Sequence, residues 1–220
     1  MIDFLNSKSI RTPRGEVASI TRNGETLWQK VKYKRELAYL ESTGKQYIDT
    51  GIVGDRDCGV ELEVYITGNL NNGCGVGSWG ANTSTERAWL FYVFGNTFRC
   101  GYGSTNAALS YGAELNTWYK WKIDVVDDKQ VIYLNDEHIN TSGAKDYFTT
   151  NLNLYLFGMN NRGSFAYELR SKMRYVKIRK LGVLVRDFIP VLDMNDRPCM
   201  YDKISEEFFY NQGTGEFLYA

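Results

Sequence analysis

Trp118-Tyr-Lys-Trp-Lys-Ile-Asp-Val-Val126 is the stretch that decides the fold class. Tyr119, Trp121, Ile123 and Val125 alternate with Lys120, Lys122 and Asp124, a period of two that sets one row of side chains in a core and the other in water. A helix would need its apolar residues three and four apart, so this is a strand. The same period recurs outward from it. Val60-Glu-Leu-Glu-Val-Tyr-Ile66 puts Val60, Leu62, Val64 and Ile66 on one face, and Phe98, Cys100 and Tyr102 alternate with Thr97, Arg99 and Gly101. Residues 87–94 are so rich in Trp and Phe that both faces read as covered. Segments 131–134, 152–157, 173–180 and 183–189 continue the series. Many short strands with Gly and Asn between them, and no amphipathic helix, predict an all-β fold, a sandwich or a barrel.

The composition agrees. Tyr (16), Phe (11) and Trp (5) suit pleated, half-buried surfaces, and 21 Gly supply turns. With 220 residues the chain can bury a core without metal or disulfide staples. Its 26 basic and 26 acidic residues cancel, which argues against a nucleic-acid partner, because phosphate contacts need a basic surplus. The longest stretch without charge, 64–85, is full of Gly and Asn and does not predict a membrane span. Asp3, Asn6 and Lys8 break up the first ten residues, so no signal peptide is expected. Cys58, Cys74, Cys100 and Cys199 contain no C-x-x-C pair and are expected as free thiols that pack as small apolar groups. The single histidine, His138, follows a hairpin turn and is expected in water, which leaves little room for histidine chemistry.

The chain divides in two. Residues 1–35 carry Arg11-Thr-Pro-Arg-Gly15 and then Glu16 onward to Trp28, where Asn23-Gly24 signals a hairpin. The charged run 30–36 reads as a linker. One hairpin is marginal alone in water, so this arm is expected to dock on its own domain or on a partner. Residues 36–220 carry the series of strands.

Three blocks of that second part carry a resemblance. Leu37-Ala-Tyr-Leu-Glu-Ser-Thr-Gly-Lys-Gln-Tyr-Ile-Asp-Thr-Gly51 resembles the opening strand of the laminin-G-like, concanavalin A-like jelly-roll family. Trp118 to Val126 with Val131-Ile-Tyr-Leu-Asn-Asp-Glu-His-Ile139 is similar to its central hairpin, with Asp136 where the usual Asn-Gly-Glu turn has Gly. Leu184-Val-Arg-Asp-Phe-Ile-Pro190, Met200-Tyr-Asp-Lys203 and Phe208-Phe-Tyr-Asn-Gln-Gly-Thr-Gly-Glu-Phe217 are similar to its closing part. The family is found in phage and prophage virion proteins and on gut bacterial surfaces. Residues 11–28 separately resemble short N-terminal pieces of phage virion proteins from Gram-positive hosts. Within these blocks Gly44, Gly51, Gly213 and Gly215 are expected at turns. Pro190 is expected to end a strand's pairing, and Asp202 to tie a loop by side-chain to backbone bonds.

Four residue patterns could carry chemistry. Gly75-Val-Gly-Ser-Trp-Gly80 spells a dinucleotide fingerprint, but Ala81-Asn-Thr-Ser-Thr-Glu86 is a poor helix opening and no acid follows near position 100, so a Gly-rich loop is expected. Glu61 and Glu63 stand at alternate positions of one strand, about 6.6 Å apart, as glycosidase carboxylates can, but Tyr65 and Ile66 occupy the place of the third acid of the jelly-roll glucanases. Asp49, Asp55 and Asp57 could offer oxygens to Ca²⁺, although turns use Asp just as readily. Sugar rings stack on Trp and Tyr while Asn and Arg read their hydroxyls. Trp79, Asn82, Trp89, Arg99, Tyr102, Asn160 and Arg162 are the candidates for such a face.

The resemblance implies a two-sheet antiparallel jelly-roll sandwich with an N-terminal hairpin arm. It implies a non-enzymatic virion protein, a capsid decoration or tail-associated, made in the bacterial cytoplasm. The arm would bind phage particle proteins, the domain would bind host-surface glycan, and the chain would be oligomeric on the particle. No cofactor, nucleic acid or membrane enters this expectation. A polysaccharide hydrolase working through Glu61 and Glu63 and a purely structural assembly module are its alternatives.

Overall fold

The computed structural model describes residues 10–12, 15–17, 19–22, 25–29, 32–80, 88–103, 105–127, 129–141 and 150–220. Every regular element among them is a strand, so no helix there is long and apolar enough to cross a membrane. Two large sheets face each other. The larger runs in the order Glu137–Thr141, Lys129–Leu134, Trp118–Val126, Cys58–Gly68, Arg170–Lys180, Val183–Leu192, Pro198–Asp202 and Glu207–Phe209, antiparallel throughout. The smaller runs Thr105–Gly112, Thr97–Gly103, Ala88–Phe94, Asn72–Trp79, Asn153–Leu156 and Ile48–Val53. This is the expected jelly-roll sandwich, with one parallel pairing added. At Phe157 (φ 68°) the chain doubles back, so that Gly158–Asn161 runs parallel to Asn72–Trp79.

The alternation read from the sequence is the packing. Val60, Leu62, Val64, Ile66, Trp121 and Ile123 from the larger sheet meet Val76, Trp89, Phe91, Val93, Phe98 and Tyr102 from the smaller. At the centre Trp121 lies 4.4 Å from Phe91 and 5.0 Å from Phe98, centroid to centroid. All four cysteines are buried and free, as expected. Burial pushes the Cys58 and Cys199 thiols up to about 12, so they stay neutral and inert. His138 is exposed, its Nε2 2.9 Å from Thr141 Oγ1.

Near the N-terminus, Ile10–Thr12 pairs with Gly15–Val17, and Ser19–Arg22 with Glu25–Gln29 as the Asn23-Gly24 signal predicts. The charged run that follows differs from a free linker. Arg35–Glu36 adds a short strand beside Val191–Leu192, and the Lys34 amide donates to Leu192 O (2.9 Å). Tyr33 packs on Tyr201 at 5.2 Å, Lys34 pairs with Asp196 at 2.6 Å and Lys32 pairs with Glu206. The apolar stem of such a run packs while its charged heads find partners in water.

Two further expectations are corrected. Pro190 does not end its strand, which runs on to Leu192. Its carbonyl accepts from the Leu37 amide (2.9 Å), so its missing N–H faces the same side. There Arg170–Lys180 has already left the ladder and Arg35–Glu36 has just begun, so no partner is deprived. Gly75 and Gly77 lie in the strand Asn72–Trp79 rather than in a loop. A Cβ on Gly75 would stand 2.8 Å from Phe91 Cε1, and one on Gly77 2.5 Å from Leu90 Cδ2. Neighbouring side chains occupy the space those glycines leave.

Asp202 performs its expected role. Fully buried, it accepts from the amides of Asp187 (2.8 Å), Ile204 (3.1 Å) and Ser205 (3.1 Å), and Arg186 lies 3.5 Å away.

Candidate functional site

The outward face of the smaller sheet holds a depression. In the strand Ala88–Phe94, Phe91 and Val93 point into the core, so Leu90, Tyr92 and Phe94 point out. Leu90 stands opposite Gly77 on one neighbouring strand and Gly101 on the other. With no side chain on either side, Leu90 becomes a floor rather than a ridge. Met159 completes that floor, placed there by the reversal at Phe157. Trp79, Tyr92 and Tyr167 stand around it with Cys74 and Asn72, enclosing about 350 Å³ including the open mouth.

The walls are held from behind. Trp79 and Tyr167 lie 6.5 Å apart, tilted at 32°. The carbonyl of Trp79 accepts from the Arg162 amide (3.1 Å), and that of Tyr167 from the Cys74 amide (2.7 Å). The Cys74 thiol donates to Phe91 O (3.3 Å), and burial pushes it well above the ordinary thiol range, so this wall carries no charge. Burial also raises the Tyr92 phenol, against the pull of the Arg99 guanidinium opposite. A β-bulge between Phe91 and Tyr92 shifts the register beside Cys74, a usual way of re-aiming side chains at a site. The result is an apolar bowl with flat aromatic walls.

The seven candidates fall in different places. Trp79 walls the bowl, and Arg99 lies one strand beyond Tyr92. Trp89 and Tyr102 are core residues, a correction that the parity of their strands explains. Trp89 shares a face with Phe91, and Tyr102 with Phe98. Their polar atoms are used internally: Trp89 Nε1 donates to Cys58 O (2.8 Å), and the Tyr102 hydroxyl to Arg56 O (2.7 Å). Neither presents a face to a ligand outside. Asn160 is buried and shapes a turn, donating to Asn153 O (2.9 Å) and accepting from the Gly163 amide (2.8 Å). Arg162 is exposed at that turn, and Asn82 lies outside the described residues. Sequence reasoning missed Leu90, Tyr92, Met159 and Tyr167. Tyr92 was within reach, since an inward Phe91 obliges its neighbour to face out.

The carboxylate candidates have other partners. Glu63 is 2.6 Å from Arg174, and Glu61 is 3.4 Å from Arg179 and 3.3 Å from the Tyr175 hydroxyl. Asp49 accepts from the Gly51 amide (2.9 Å), Asp55 accepts from the Asp57 amide (3.1 Å) and pairs with Lys180, and Asp57 lies 3.6 Å from Arg56. Among the described residues no three His, Cys, Asp or Glu side chains gather as a metal site would require. The larger sheet has outward aromatics too, but cations cap them: Arg174 sits 3.9 Å over Trp118, and Lys172 sits 4.5 Å over Tyr39 and 5.1 Å over Tyr65. Trp79 and Tyr167 carry no such cap among the described residues.

No family model matches the chain, and no curated protein matches it. Solved structures do. A candidate carbohydrate-binding protein from Bacteroides ovatus is similar over 93% of this chain, with a TM-score of 0.58 at 15% identity. The chain spans 66% of that protein's length. The CBM40 of the Ruminococcus gnavus IT-sialidase is similar over 66% of this chain and 90% of its own, with a TM-score of 0.50 at 13% identity. At such identity the likeness is one of fold, and the fold of this chain is the all-β jelly-roll sandwich in which carbohydrate-binding modules are built.

Proposed function

We propose that this chain is a non-catalytic, lectin-like carbohydrate-binding domain whose ligand is a glycan of a bacterial host surface. The observation that carries the reading is the bowl walled by Trp79, Tyr92 and Tyr167 over Leu90 and Met159. A pyranose ring offers an apolar C–H face and a polar edge. Flat aromatic walls above an apolar floor match the first, and Asn72 at the lip can meet the second. The fold it shares with carbohydrate-binding proteins supports the reading by analogy. The resemblance of residues 11–28 and of the later blocks extends the proposal. The domain would be displayed on a phage or phage-like particle, on the capsid or tail, with the part of the arm before residue 32 as its attachment to particle proteins and several copies giving avidity.

The test is a glycan array followed by calorimetry on the full chain. We expect micromolar to millimolar binding to at least one glycan. The Trp79→Ala variant should bind at least about tenfold more weakly, a loss of about 1.4 kcal/mol, with an unchanged near-ultraviolet circular dichroism spectrum outside the indole bands. Binding that survives Trp79→Ala at full strength would move the site elsewhere, and an array without a bound glycan would remove the function.

A further inference from the structure

The strands of the smaller sheet that surround the bowl are nearly free of charge. Segments 72–79, 88–94, 97–103, 105–112, 153–156, 158–161 and 164–166 contain no Asp or Glu and one basic residue, Arg99. Arg99 faces outward, directly opposite Tyr92, which walls the bowl. Its guanidinium carbon lies 5.1 Å from the centroid of the Phe94 ring, which is itself 47% exposed. Tyr92 and Phe94 thus hold the guanidinium in place across the strand pair.

What Arg99 lacks is an anion. Its Nε is buried with no hydrogen-bond partner, and no ion pair among the described residues includes it. Elsewhere in the molecule partly buried arginines are matched: Arg179 with Glu61 and Arg186 with Asp202. A partly buried guanidinium without a carboxylate bears a desolvation cost that the Tyr92 hydroxyl and the Phe94 ring offset only in part, with its Nε left unbonded. Its planar fork is the side chain best suited to a carboxylate.

We propose that Arg99 is a specificity residue that takes a carboxylate of the bound sugar, so that this face selects acidic glycans over neutral ones. The inference rests on the glycan-binding reading of the same bowl. Arg99 stands one strand spacing, about 4.8 Å, from the Tyr92 wall. A sugar ring stacked in the bowl therefore brings its exocyclic carboxylate to the guanidinium, while the ring keeps its apolar contact with Trp79.

The experiment uses the full chain on an array of neutral, uronic-acid, sialylated and sulfated glycans. The best carboxylated glycan is then compared with its counterpart reduced to the alcohol. We expect the retained glycans to carry a carboxylate and the reduction to weaken wild-type binding at least tenfold. Arg99→Gln should cost a similar factor and make the chain indifferent to the reduction, and Arg99→Lys should fall between. The reduced glycan tests the idea on unaltered protein, so a misfolded variant does not obscure it. Neutral or sulfated glycans bound in preference, or carboxylated ones held equally well by Arg99→Gln, would overturn the proposal while leaving glycan binding through Trp79 intact. Absence of any bound glycan would overturn both.

Discussion

Asp193 is nearly buried, yet its carboxyl sits below the ordinary carboxylate range. Burial pushes it up, but the amides of Arg197 (2.9 Å) and Asn195 (2.8 Å), the Tyr210 hydroxyl (2.9 Å) and the charge of Arg197 together pull it down further. The partner responds in kind: burial and the bond to Asp193 push the Tyr210 phenol up to about 12. Because the folded carboxyl is the stronger acid, its stabilisation is present above the unfolded carboxyl's ordinary range, near pH 4, and is lost as pH falls through the lowered folded value. Asp193→Asn should therefore cost stability at pH 7, about 1–3 kcal/mol, and much less at pH 2.5. Urea unfolding of both proteins at the two pH values measures this, and an equal deficit at each would contradict it. At this scale the sequence was legible where parity decided. Phe98, Cys100 and Tyr102 alternate visibly, and that alternation already removes Tyr102 from any outer face. It was not legible where a tertiary partner decides, as for Asn160, whose turn contacts lie with Asn153 and Gly163.

At the scale of elements, the bowl depends on missing side chains. Gly77 leaves the room that Leu90 fills: a Cβ there would stand 2.5 Å from Leu90 Cδ2 and 3.0 Å from Trp89 O. Gly77→Ala should lift Leu90 into the bowl or push the two strands apart. We expect a loss of about 1–3 kcal/mol in stability together with weaker glycan binding, read by thermal unfolding and calorimetry. Unchanged binding in a folded Gly77→Ala variant would show that the floor does not touch the ligand. The same glycines explain why Gly75 to Gly80 misleads as a motif. Gly spacing alone does not distinguish a turn that needs positive φ from a strand that needs room for its neighbours. Asn72–Trp79 is the second case, and its meaning lies in Phe91 and Leu90, on another strand. Pro190 taught the same lesson, since its tolerance depends on which neighbour its missing donor faces.

At the scale of the molecule, the two outer faces differ in kind. The larger sheet is laced with ion pairs and capped rings, whereas the strands of the smaller sheet that line the bowl carry no charge, and Arg99 on the next strand has no ion-pair partner among the described residues. The strand set and the sandwich were legible from period-two patterning and from the family resemblance. The order of strands, and hence the meeting of Trp79 with Met159 and Tyr167, was not, because pairing over such separations leaves no local trace. Residues 32–36 join the sandwich, so the part of the arm free to serve a partner ends before them. A chain beginning at residue 32 should unfold within about 2 °C of the full chain, since each hairpin before it forms its own two-stranded sheet in the described ladders. One beginning at residue 38 should lose several degrees with the Arg35–Glu36 strand and the Tyr33 contact. Particles assembled with the first of these should lack the domain if the hairpins are the attachment, and full incorporation would remove that role.

The closing strand carries one more consequence. Leu218–Tyr219 pairs with Leu40–Ser42, and the Ala38 amide donates to Ala220 O (2.6 Å). Cys58–Gly68, at the middle of the larger sheet, likewise waits for Arg170–Lys180. A ribosome must therefore deliver residues 170–219 before Leu40–Ser42 and Cys58–Gly68 have all their neighbours. Until then those strands have open edges, so closure of the sandwich is slow and follows synthesis of these segments rather than accompanying it.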